Sequence, residues 1–226
     1  MTEMRSEKPY TAKPILFNTN MVRAILDGTK TVTRRLVKPI PPENARLELI
    51  GDRRTAMDLS IEIPGPNDRR IYTPPYLPGD ILYVREKFAC DGFDGEESIY
   101  VYWTDVDDCD RVVWGDLEES EWAPSSDYHW RPSIHMPKEA ARIFLRVTDL
   151  RVERLQEITE IEARSEGAEM IQIARELWSY RKGFEKIWDS IIKPADLSLY
   201  GWAADPWVWV IEFERCEKPE GWPWSE

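Results

Sequence analysis

Apolar and polar positions fall into short runs along this chain, and the period of each run predicts its element. Residues 15–17 form an apolar run of strand length. Asn18 or Thr19 then suits the cap of a helix over about 20–27, with Met21 and Ile25 one turn apart on the same face. Gly28 stops that helix. The β-branched threonines that follow predict a strand over 30–36, which Pro39, Pro41 and Pro42 end. Residues 43–75 are irregular and contain Pro64-Gly65-Pro66, so they read as a long excursion, with a hairpin as one form of it. Pro78-Gly79-Asp80 is a turn leading into a strand over 81–86. Residues 98–103 alternate like a strand, and 141–154 predict a long one. Thr159 and Glu162 have capping-box spacing, opening a short helix to about 166 that Gly167 stops. Residues 171–192 predict one longer amphipathic helix with Leu177, Phe184, Ile187, Trp188 and Ile191 toward the core. The last strand, 206–215, alternates only in its second half, which predicts burial on both faces in its first half. Trp178, Trp188, Trp202, Trp207 and Trp209 are expected in the core. Short strands, two or three helices and many turns together predict an α+β fold, a small mixed β-barrel with helices on its rim and loop insertions.

Composition narrows this picture without changing it. At 226 residues with 42% hydrophobic content and eleven tryptophans, the chain bears the marks of a folded protein with a real core. No apolar run approaches the roughly 18 residues that a membrane span needs, and residues 1–10 lack a signal-peptide core, so the expectation is a cytoplasmic protein with no membrane partner. Three cysteines, far apart and without a C-x-x-C, read as free thiols. His129 and His135 flank Trp130-Arg131-Pro132 in a spacing that is not a helical ligand pair, so no metal and no cofactor are expected. The net charge of −12 speaks against a simple basic nucleic-acid binder. The charge is uneven, however: residues 1–90 hold 15 Lys/Arg against 11 Asp/Glu, and residues 91–226 hold 15 against 31. This asymmetry fits a local anion-binding face on an acidic protein.

The candidate chemistry concentrates in Gly28-Thr29-Lys30-Thr31-Val32-Thr33-Arg34-Arg35. Strand alternation points Thr31, Thr33 and Arg35 one way and Lys30, Val32 and Arg34 the other. Clustered hydroxyls, an ammonium and guanidiniums suit an anionic or strongly hydrogen-bonding ligand. Arg85 and the pair Trp130-Arg131 are further candidates, because an indole stacks on a base while a guanidinium meets phosphate. His135 is a candidate ligand contact, with a structural histidine the equal alternative. The Arg53-Arg54 and Arg69-Arg70 pairs extend either a nucleic-acid track or a solvated loop.

The motif and its neighbours resemble the ASCH domain, a PUA-like β-barrel family. The resemblance is carried by the helix and Gly28-Thr-Lys-Thr-x-Thr-Arg-Arg35, by Pro78-Gly-Asp-Ile-Leu-Tyr-Val-Arg85, by Trp130-Arg-Pro-Ser-Ile-His-Met-Pro137, by Leu155-Gln-Glu-Ile-Thr-Glu-x-x-Ala163-x-x-Glu-Gly167 and by Trp207-Val-Trp-Val-Ile-Glu-Phe213. The third is similar to longer members, often encoded by phages or prophages. It implies a single domain over 14–215, with 43–75 and 91–128 as extra segments and 1–13 and 216–226 as tails. It implies a cleft beside the barrel that binds RNA or nucleotides. Some small members resemble amidohydrolases acting on N4-acetylcytidine, and on that match Lys30, Thr33 and Glu166 are the catalytic set, with Arg35 on the substrate side. Threonine needs a base to become a nucleophile, and lysine serves only with a lowered pKa. The plainer alternative is an ion pair between Lys30 and Glu166 that fastens helix to strand.

Three function classes follow. The first is a binding module for RNA, single-stranded nucleic acid or a modified nucleoside, using Thr31, Arg34, Arg35, Arg85, Trp130, Arg131 and His135. The second is an amidohydrolase on acylated nucleosides. The third is a phage accessory protein that meets a host protein through its acidic 91–128 insertion.

Overall fold

The computed structural model describes residues 12–41, 48–50, 60–63, 70–94, 97–106, 111–114 and 121–222. Its centre is a five-stranded sheet. The strands in chain order are β1 (Ala12–Leu16), β2 (Val32–Leu36), β3 (Ile81–Arg85), β4 (Phe144–Arg154) and β5 (Trp207–Cys216). In space they run β1-β3-β4-β5-β2. β1 lies parallel to β3, and every other pairing is antiparallel. Helix α1 (Thr19–Leu26) carries the chain from one edge of the sheet to the other. Asn18 is its cap, taking the Met21 N–H on its side chain. Helices α2 (Glu160–Ser165) and α3 (Tyr180–Ile191) follow β4. The capping box of Thr159 and Glu162 is present at the start of α2.

The sheet is buried on both faces, and β5 shows it most clearly. Trp209, Ile211 and Phe213 point into one core with Ile15, Leu82 and Leu145. Val208 and Val210 point into a second core with Val32, Phe184 and Trp188, under α2 and α3. Strict alternation therefore serves two apolar layers, which is why this stretch shows no polar face in sequence. The edges β1 and β2 are bridged by a side chain: Arg35 Nη2 donates to the Leu16 carbonyl at 3.1 Å. Among the described residues no backbone ladder joins them. The architecture is a mixed α+β fold around a sheet whose edges are brought close.

Several sequence expectations change here. Residues 171–179 are not helical. Ile171–Ala174 and Leu177–Ser179 form a hairpin, and the helix begins only at Tyr180, where the Ser179 side chain caps it. Alternation of Ile171 and Ile173 about Gln172 is the strand signal that a helical reading of the whole stretch overrode. Trp178 lies on this hairpin and is exposed, unlike Trp188, Trp202 and Trp209, which are buried. Strand β2 starts at Val32, so Lys30 and Thr31 precede it.

The excursion after β2 is a small three-stranded sheet of Glu48–Ile50, Ser60–Ile63 and Arg70–Tyr72. The Arg53-Arg54 pair lies outside the described residues. In the acidic region, Phe88–Asp94 pairs with Glu97–Tyr102, and Arg111–Trp114 with Glu121–Pro124. Residues 107–110 and 115–120 of it lie outside the described residues. Residues read as a C-terminal tail return to the sheet: Trp222 is buried and packs edge-on against Phe144 and Tyr83. No described helix is long and apolar enough to cross a membrane.

Candidate functional site

The turn after α1 delivers Lys30 into the protein. Gly28 adopts φ +79°, and the Lys30 N–H bonds back to the Ala24 carbonyl at 2.8 Å. The Lys30 side chain is fully buried. Its ammonium donates to the Val32 carbonyl at 2.8 Å, the Glu166 carbonyl at 2.8 Å and Glu166 Oε2 at 2.7 Å. These three acceptors use every N–H that an ammonium has. Glu166 is the C-terminal cap of α2, so Lys30 also places a cation at the negative end of that helix. Burial pushes the Lys30 pKa below its ordinary value, and the Glu166 charge opposes the shift.

Arg34 continues this buried charge system on the α2 side. It donates to Glu166 Oε1 at 3.2 Å and to Glu153 Oε1 at 2.5 Å, with Glu162 at 3.5 Å. Arg151 joins Glu153 at 3.3 Å and also pairs with Glu162 and Glu212. Arg34 Nε is buried with no partner among the described residues. The sequence-predicted division of the motif holds in β2. Arg34 sits opposite Val210 and over the Phe184 ring at 5.9 Å, on the helix-covered face. Thr33 and Arg35 sit opposite Ile211 and Trp209, on the other face. Thr33 is buried, and none of the Lys30 ammonium bonds goes to its hydroxyl. Thr31 is exposed and works through its backbone, its N–H bonding Ser165 O at 2.9 Å and its carbonyl accepting from Phe213 at 2.9 Å.

Beside this network lies a cleft of about 440 Å³. The end of β2, residues 73–76 and the C-terminal turn of α3 form its walls, with Arg34, Arg35, Lys38, Tyr76, Trp188 and Trp209 among the lining side chains. Among the described residues no Asp or Glu lines it. Among the described residues neither Arg35 nor Lys38 has a carboxylate partner. Arg35 contacts the Leu16 carbonyl and the Phe17 ring, and Lys38 contacts the Tyr200 ring. Tyr76 is fixed by its hydroxyl, which donates to Pro14 O at 2.8 Å, and burial raises its pKa.

Comparison with family models, curated proteins and solved structures finds no match for this chain.

The structure thus brings Lys30, Arg34 and Glu166 into one buried network and sets Arg34 and Arg35 on the cleft. The other predicted ligand contacts lie elsewhere. Arg85 donates to Met136 O at 2.9 Å and Ile134 O at 2.5 Å, holding the 133–136 turn. His135 is exposed on that turn, and Arg131 is exposed with its backbone bridged to Phe88. Trp130 is half-buried, edge-on to Trp103 at 4.9 Å, with its indole N–H on Ser125 O. Sequence reasoning did not single out Lys38 or Tyr76. Lys38 sits at a proline-bounded strand end and Tyr76 in a turn, so neither has a periodic neighbour that would place it. Trp188 and Trp209 were expected as core, and they are buried while also forming the cleft floor.

No described group of His, Cys, Asp and Glu is arranged to hold a metal ion. Cys90 and Cys216 are free thiols.

Proposed function

We propose that this protein binds a nucleotide or a short stretch of RNA, with the cleft at the end of β2 as the recognition site, on a PUA-like barrel of the ASCH type. The observation that carries this reading is the cleft lining. In a chain with 42 acidic and 30 basic residues, its described lining contains cations and aromatic rings and no carboxylate. Arg35 offers guanidinium N–H groups to a phosphate or a base carbonyl. Tyr76, which is half-buried, supplies a flat ring for a base, backed by the buried Trp188 and Trp209. A cleft of about 440 Å³ is within the usual size of a small-ligand site. The buried network behind it fixes β2 against α2 and so holds Arg34 and Arg35 in place.

Binding is measured by titrating tryptophan fluorescence with uridine and cytidine monophosphates. Arg35→Ala is expected to weaken binding at least tenfold, which is about 1.4 kcal/mol. Equal affinity in wild type and variant removes the cleft from consideration.

The hydrolytic alternative draws on Thr33, whose side chain is buried on the sheet face opposite Arg34. It requires Lys30 to release a proton while Glu166 and two carbonyls hold it. N4-acetylcytidine turnover that disappears in Lys30→Ala, Thr33→Ala and Glu166→Ala supports it. Turnover surviving those changes excludes it.

A further inference from the structure

A second hollow lies at the N-terminal end of α1. It measures about 360 Å³ and is lined by Phe17, Thr19, Lys87, Trp130 and Ser133 among others, again with no carboxylate among the described lining residues. Phe17 relates the two hollows: it is among the residues of the second, and its buried ring has its centroid 5.4 Å from the guanidinium carbon of Arg35, which lines the first. Lys87 is the cation of the second hollow. Its ammonium stands 3.1 Å from the Trp103 ring centroid and 5.7 Å from that of Trp130. Indole faces orient a cation without neutralising it. Among the described residues Lys87 has no carboxylate partner. Trp130 is itself held, by its N–H on Ser125 O at 2.8 Å and by its edge-on contact with Trp103. Each hollow therefore repeats the same pair of elements: a cation in no ion pair among the described residues and a fixed, half-covered aromatic ring. A mononucleotide uses that pair once. A single strand of nucleic acid uses it repeatedly, stacking successive bases while cations follow the phosphates.

We infer that the ligand is a single-stranded oligonucleotide of a few residues, running from the cleft at Arg35 and Lys38 to the hollow at Lys87 and Trp130. This rests on the reading of the cleft as a nucleotide site, and it adds strand length and a second subsite.

The test compares uridine monophosphate with a ladder of oligouridylates from two to eight residues, and with the matching oligothymidylates, by fluorescence titration of the full chain. Affinity is expected to rise at least tenfold between the mononucleotide and the oligomer that reaches the second hollow, then level off. Lys87→Gln is expected to reduce the ratio of oligomer to mononucleotide affinity toward one. Lys87→Arg, which keeps the cation, is expected to retain it. Lys87→Gln also lowers the slope of log affinity against log salt for the oligomer by about 0.7. If the mononucleotide binds at the cleft but length brings no gain, or if Lys87→Gln leaves the ratio unchanged, the second subsite is wrong and the cleft stands. If neither mononucleotide nor oligomer binds, the cleft reading fails and takes this inference with it. Thymidylates and uridylates with equal gains indicate a strand-general track, and a gain confined to uridylates indicates RNA.

Discussion

Lys30 and Glu166 are separated by 136 positions in the chain and meet in a fully buried ion pair. Removing one member of such a pair costs about 3–5 kcal/mol where it leaves the other charge buried without compensation. Glu166 keeps Arg34 when Lys30 is lost, so Lys30→Met is expected to lower the unfolding free energy by about 3 kcal/mol, the low end of that range, in a urea titration. Adding Glu166→Leu is expected to recover only part of the loss, since Arg34 then keeps Glu153 but loses Glu166. The pairing was legible in sequence only through the family resemblance, because no local rule links a residue after one helix to a cap after another. The way Lys30 is bonded was not legible. Two of its three acceptors are backbone carbonyls, at Val32 and Glu166, and a sequence shows no signal for them.

At the scale of elements, the local rules worked where chemistry is local. Asn18 caps α1 and Thr159 with Glu162 caps α2, both as their spacing predicts. Burial pushes the Glu162 carboxyl up, but the Thr159 N–H and the Arg34 charge outweigh it and hold it below its ordinary value of 4.5. A carboxyl lowered in the folded state contributes stability that is present above pH 4.5 and is lost as pH falls through the lower folded value. Stability is thus expected to decline with acidification in that window, and less steeply in Glu162→Gln, as measured by denaturation at a series of pH values. The local rules failed at 171–179, where a hairpin and a helix share one continuous apolar pattern. Tertiary contact explains where the helix lies. A β-carbon on Gly183 would stand 2.0 Å from the Glu169 carbonyl oxygen, so α3 packs onto the backbone preceding the hairpin at a distance only glycine allows. Gly183→Ala is expected to destabilise by about 1–3 kcal/mol, read from the thermal midpoint.

Across the whole molecule, the acidic balance and the cation-lined hollows belong together. An overall negative charge repels nucleic acid from most of the surface, so the proposed ligand would meet its phosphates at the two hollows, where no described carboxylate stands. Binding at so few cations is expected to depend only shallowly on salt, with a slope of about −0.7 per phosphate contact. A steep slope in a salt series would point to an extended basic surface that the described residues do not show. The sequence conveyed this balance through its uneven halves, but it could not show that Arg35 and Lys38 have no carboxylate partner among the described residues while Arg34, beside them, pairs with Glu153 and Glu166. The bridge from Arg35 to the Leu16 carbonyl has a further consequence. It is a clasp across the open seam between the first and second strands, and the same guanidinium faces the cleft. Anything that anchors Arg35 also tightens the seam. Occupancy of the cleft should therefore be felt along the first strand as slower amide hydrogen exchange, well away from any atom the ligand touches.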